Sequence, residues 1–241
     1  MDLRACLRSG WYLFARDPKA ALLISLAVVG PIVALQLAVQ VVLSHVGVAA
    51  PDEPPWTAWS IRNAAMLLEM LILPALGAGA SACCLGAVRS GDLTTHNLGV
   101  GFSRWWACTW VTWLPFLAFF LFSSLLVLPM SFVLLTPAWL GVFHIVDTDC
   151  GGIRALRYAW GAMPSAVWQV VLLTFLTCLM IGAGFWVYWA VLFVSSPLSI
   201  AAHRLLSLSI YAVTLFTLPI GLGALAAAYD ALSKRERAAA Q

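Results

Sequence analysis

The chain has 241 residues and a net charge of +3, with 63% hydrophobic and only 10% charged residues. A typical soluble domain is roughly 45–50% apolar and about 25% charged, so composition excludes a soluble enzyme and a disordered chain. The few basic residues are scattered rather than gathered into a phosphate-binding stripe, which excludes a nucleic-acid binder. What remains is an integral membrane protein.

A spanning helix needs about 20 mostly apolar residues. The first such segment is 20–43, which holds no charge, and the second is 63–88, with Glu69 as its one charge. Residues 106–146 form a run about twice the length of one span. It breaks at Leu128-Pro129, because proline disrupts a helix interior, giving spans over 106–127 and 130–146. The last two are 167–195 and 206–229. The expected fold is all-α: a polytopic bundle of six transmembrane helices in one domain, 1–241.

Cytoplasmic loops carry the excess of Lys and Arg. Arg4, Arg8, Arg16 and Lys19 precede the first span, Arg89 and Arg104 follow the second, and Arg154 and Arg157 follow the fourth. Lys234, Arg235 and Arg237 follow the sixth, so only Arg62 and Arg204 of the 13 basic residues fall on the other side. Both termini are therefore expected in the cytoplasm of a cell inner membrane. Cys6, Cys83, Cys84, Cys108 and Cys150 fall towards the cytoplasmic side and Cys178 within the fifth span, so no disulfide is expected. Val48-Ala49-Ala50 before Pro51 could end a signal peptide, but an apolar run of about 24 residues exceeds the usual 7–15 of a signal core.

Two short segments look amphipathic. Leu3, Leu7, Trp11 and Phe14 recur at helical spacing with Arg4 and Arg8 on another face, and Ile153, Leu156, Trp160 and Met163 do the same beside Arg154 and Arg157. Such helices lie in the membrane interface, aromatics down and basic groups towards anionic headgroups. Asp149 is placed to cap the second. LRSGWYLFARDPKAALL from Leu7 and LRYAWGAMPSAVWQVV from Leu156 resemble each other, and GVGFSRWW from Gly99 is a weaker third copy. LPALGAGASA from Leu73 and LPIGLGALAAA from Leu218 share a second theme. The pattern suggests three copies of an interfacial helix plus a hairpin, all in one orientation; internal repeats are frequent in membrane transport folds.

The order SGWYLFARDP, then LPALGAGASACCLGAVRSGD with NLGVGFSRWW, a Leu-Pro break, and FHIVDTDCGGIRALRYAW resembles a known group. It is similar to the six-helix bacterial inner-membrane proteins related to the membrane domain of glycerophosphodiester phosphodiesterases, and to similar domain-of-unknown-function families. The resemblance implies a fold and a location. It implies no phosphodiesterase activity, and the family's usual Ser before the Trp is Ala159 here.

Glu69 is the residue at an odd depth. If its helix starts near Asn63, it lies about 9 Å in, and ionisable groups there face the bundle interior or a wet cavity. It either binds a cation, a proton or a polar group, or it snorkels, is protonated, or ties to Arg204; Arg62 is too far along the helix for easy pairing. Gln36 and Gln40 share a helix face, as a polar track or as interhelical glue. The small residues Gly77, Gly79 and Ser81, and Gly221 and Gly223, read first as packing surfaces. His96, His144, Asp147, Asp149 and the cysteines lack a zinc spacing, so no metal and no cofactor is expected. No catalytic residue can be named either, since no Gly-x-Ser-x-Gly and no nucleotide-binding loop occurs. The expected function is a non-enzymatic binding or accessory role in transport, lipid handling or envelope maintenance. Its partners would be membrane lipids and another membrane subunit or a second copy. The alternative is a small secondary transporter or channel using Glu69, with an intramembrane enzyme third.

Overall fold

The computed structural model describes residues 2–45, 55–123, 128–163, 167–181 and 200–239, and every regular element in them is helical. Helix α1 spans Leu3–Arg16 and opens under Asp2, whose carboxylate accepts the Arg4 N–H at 2.9 Å. Asp17 then caps α2 (Pro18–His45) by accepting the Ala20 N–H at 3.0 Å. Pro18 stands at the first helical position, where a missing N–H costs nothing. Helix α3 covers Pro55–Ser90 and stops at Gly91, whose φ of +83° is open to glycine. A 3-10 turn (His96–Gly99) leads into α4 (Val100–Ser103), α5 (Trp105–Ser123) and α6 (Leu128–Thr148). The remaining helices are α7 (Gly152–Ala162), α8 (Val167–Ile181) and α9 (Ile200–Ala239).

Among the described residues three helices are long and apolar enough to cross a membrane: Pro18–Leu43, Asn63–Ser90 and Ser209–Ala238. They mark the chain as a helical membrane protein and coincide with the expected spans 20–43, 63–88 and 206–229. Helices α5, α6 and α8 occupy the segments expected as 106–127, 130–146 and 167–195. The Leu128-Pro129 pair opens α6, and α8 is described to Ile181. The loop with Asp52 and Glu53, and residues 182–195, lie outside the described residues.

Asp149 does not cap α7. Gly151 is the capping residue, with no side-chain bond to the helix. Asp149 turns the chain instead, with a φ of +58°, a conformation that Asp and Asn tolerate better than most side chains. Its carboxylate pairs with Arg104. Helices α7 and α8 make an angle of 117° with each other.

Short and long helices touch through small residues. A Cβ on Gly10 of α1 would come within 2.2 Å of the Ile220 carbonyl oxygen, so α1 lies backbone-to-backbone on α9. A Cβ on Gly101 of α4 would come within 1.8 Å of the Ala75 carbonyl oxygen on α3. A Cβ on Gly141 of α6 would come within 2.6 Å of a Val111 methyl of α5 and 3.7 Å of the Ala155 carbonyl of α7.

Pro74 inside α3 cannot donate to the carbonyl four residues back, Met70. The Trp113 indole N–H of α5 donates to that carbonyl at 3.1 Å, and Trp105 donates to its neighbour Leu71 at 2.6 Å. A proline is tolerated in a spanning helix where neighbouring groups re-satisfy the freed backbone in this way.

Candidate functional site

The ends of α3, α6 and α9 meet in a polar cluster centred on Arg89, Asp147 and Asp230. Arg89 ends α3 and donates through Nη2 to Asp147 Oδ2 at 3.0 Å and through Nη1 to Asp147 Oδ1. Its Nε donates to Asp230 Oδ1 at 3.0 Å. Lys234 holds the other Asp230 oxygen at 2.7 Å, and Arg237 reaches Asp147 at 3.3 Å. The two carboxylates are only 7% and 9% exposed, so each depends on these cations for its charge. The Arg89 guanidinium is the main cause that holds the Asp147 carboxyl below its ordinary range.

An aromatic layer closes the cluster from the membrane side. Tyr229 donates its hydroxyl proton to Asp147 at 3.0 Å. Its oxygen lies 3.2 Å from His144 Nδ1, and since the one phenolic proton is committed to Asp147, His144 Nδ1 carries the proton between them. The His144 ring stacks on Tyr158 of α7 at 3.7 Å, and Phe143 stacks on Tyr229. Burial, then the Glu236 carboxylate, raises the Tyr158 phenol above its ordinary range. Asp147 Oδ2 accepts from Arg89, Tyr229 and Arg237 together. Asp147 of α6 thus ties the ends of α3 and α9 to its own helix, and α7 joins the cluster through the Tyr158 ring on His144.

The other polar site lies about 30 Å along α3 from Arg89, at 1.5 Å per residue. There Gln36 of α2 donates its amide to Glu69 of α3, and both side chains are half-buried. Two of the expected residues are thus brought together. Gln40, one turn further on, is exposed. The side chains of Arg62 and Arg204 lie outside the described residues.

The expected lipid contacts are on the surface. Arg4, Arg8, Arg154 and Arg157 are exposed, and so are Trp11 and Trp160. Of the Leu-Trp and Ile-Trp stripes, Trp11, Trp160 and Ile153 stay on the surface while Leu3, Leu7 and Met163 pack against the core, beside a closely docked face of smaller residues. Helix α1 buries Cys6, Gly10 and Leu13, and α7 buries Ala155, Ala159 and Ala162. Ile153 is 79% exposed. Small residues let a helix approach closely where a bulky stripe would hold it away, which is the rule for helix contacts inside membranes.

Among the described residues no three His, Cys, Asp or Glu side chains converge as metal ligands. All six cysteines are free thiols, four of them buried. Asp230 and the role of Arg89 were not apparent from sequence; the usable signal was an acidic residue close to the basic end of two different helices. Compared with protein family models, curated proteins and solved structures, the chain matches none.

Proposed function

We propose that the chain is a non-enzymatic, multi-pass protein of the bacterial inner membrane that works by binding, with membrane lipids as its first partners. Its role falls in transport, lipid handling or envelope maintenance, beside another membrane subunit or a second copy of itself. The supporting observation is the build of α1 and α7: small residues docked on spanning helices, Trp11, Trp160 and four arginines turned outward. Aromatic rings with cations beside them suit the level of anionic headgroups. Native mass spectrometry of the purified protein tests this. Anionic phospholipid should be retained over zwitterionic lipid, and equal retention of both would overturn the reading.

The architecture behind it is six spans built as three parallel hairpins, each led by an interfacial helix, with both termini cytoplasmic. Supporting it, Gly10 rests on Ile220 and Ala224, the first and fifth residues after Pro219, while Gly101 rests on Ala75 and Gly79, the first and fifth after Pro74. The buried triplets of α1 and α7 also share one spacing and align with the Leu-Arg-x-x-Trp match. The resemblance to six-helix inner-membrane proteins points the same way.

A second reading, a small secondary transporter, is favoured by the Gln36–Glu69 contact between two spanning helices. Intramembrane ionisable groups mark ion and substrate paths. Under this reading Glu69→Gln keeps thermal stability and abolishes the cellular phenotype; a normal phenotype would set transport through Glu69 aside.

A further inference from the structure

Helix α1 touches α9 tightly at Gly10, but its other edge stands off the end of α3. Between them lies a cleft of about 390 Å³, lined by Ala5, Arg8, Ser9 and Tyr12 of α1 and by Ala87 and Val88 of α3. The cleft stays open because its wall residues are small: Ala5, Ser9 and Ala87 leave room that larger side chains would fill. Its polar rim is one-sided. The Ser9 hydroxyl is committed to the Ala5 carbonyl at 2.9 Å, so the donors left to a ligand are the Arg8 guanidinium and the Tyr12 phenol, one helical turn apart. Arg8 makes no ion pair among the described residues, whereas Arg16, one wall further along, is held by Asp92 at 3.0 Å and by the Gly91 carbonyl. Beyond Leu13 and Gly91 the groove continues into a smaller space of about 170 Å³ that contains Asp17 and Asp92.

We propose that this cleft is a binding site for the headgroup of an anionic phospholipid with a single phosphodiester charge. The proposal rests on the lipid-binding reading above and names the place and the ligand. A phosphodiester oxygen takes the Arg8 and Tyr12 donors, and the glycerol and first acyl carbons lie against Ala5, Leu13, Ala87 and Val88. Trp11 and Tyr12, both exposed on α1, stand at the aromatic level of the interface where such a headgroup lies. At the far end Arg16 and Asp92 neutralise each other and Asp17 remains as a negative charge, so a second negative charge on a phosphomonoester or a diphosphate fits less well.

The test is lipid retention by the full-length protein, purified in detergent and supplied with phosphatidylglycerol or phosphatidylcholine, read by native mass spectrometry. Wild type should hold one phosphatidylglycerol more tightly than the rest. Arg8→Gln should weaken that one lipid about fivefold, what one basic group near an anionic headgroup contributes, while Arg235→Gln, which removes the same charge at an exposed position of α9 outside the lipid-contacting set, should not. Arg8→Lys, which keeps the charge, should retain most of the binding and guards against a folding defect in Arg8→Gln. Equal losses in Arg8→Gln and Arg235→Gln would overturn the cleft while leaving lipid binding intact. No preference for phosphatidylglycerol in wild type would overturn both. Release of the lipid by millimolar inorganic phosphate alone would reassign the site to a soluble anion.

Discussion

Arg89 at the end of α3 grips both oxygens of Asp147 at the end of α6, a two-point pair that also carries a third bond from Arg89 to Asp230 of α9. One side chain thus joins three helices that share no neighbouring sequence. Asp147→Asn leaves Arg89 half without its partner, and breaking a pair of this kind costs about 3 kcal/mol, less than for a wholly buried one because Arg89 is 34% exposed. Melting of the detergent-solubilised protein measures it. The double variant with Arg89→Gln should be clearly less destabilised than the sum of the two single ones.

Acid should act through the same pair. Asp147 has a folded pKa below its ordinary value of 3.8, chiefly because of Arg89. A depressed carboxyl contributes stability that is fully present above its unfolded value and is lost as pH falls through the folded one. The wild-type melting temperature should therefore fall further than that of Asp147→Asn between about pH 5 and about pH 3. Parallel curves would show that Asp147 has no part in acid sensitivity.

The Pro74 gap gives a cycle with opposite signs. Trp113→Phe removes the donor to Met70 and should cost about 1 kcal/mol. Pro74→Ala restores an N–H that can reach the same carbonyl, so in that background Trp113→Phe should cost less. Identical costs in both backgrounds would mean that the indole bond does not compensate the proline.

Glycines on α1 and α3 should differ in kind. Gly10→Ala drives a methyl into the Ile220 carbonyl and should lower stability by about 1–3 kcal/mol as α1 is pushed off α9. Gly77→Ala has nothing within 4 Å and should be neutral or stabilising by up to about 1 kcal/mol, since alanine is the better helix former. Maleimide labelling of Cys6, buried under α1, should rise in the first variant and stay unchanged in the second.

The topology is checked by reporter fusions. Attached at Asp52 they should report the periplasm, and attached at Gln241 the cytoplasm. A periplasmic signal at Gln241 would remove the even number of spans.

Apolarity along the chain was enough to find the helices, because a bilayer demands runs of apolar residues whatever their neighbours are. It did not reveal which face each helix turns inward. Leu7, Trp11 and Ile153 read as the membrane-facing stripes of α1 and α7; Trp11 and Ile153 are exposed, but Leu7 packs partly against the core. Inside or beside a membrane, however, lipid satisfies bulky apolar groups as well as protein does, and the contact goes to Gly10 and Ala159 instead. Glu69 and Gln36 were each legible as odd residues, but their meeting depends on the rotation of α2 against α3, which one sequence does not carry. Arg89 read as a marker of orientation, since a basic residue at a helix end normally faces water. Its second use, drawing Asp147 and Asp230 together, depends on three helix ends converging.

The contact between Gly10 and the backbone of α9 also sets an order of events. Helix α1 precedes α9 in the chain and is made before it, so the contact between them cannot form until α9 has been made. Its Cys6, Gly10 and Leu13 face is uncovered throughout that interval. A chain interrupted before α9 would leave this face open to whatever binds exposed small-residue surfaces in the bilayer, quality-control proteases included. The joining of α1 to α9 therefore distinguishes a chain that has reached α9 from one interrupted before it.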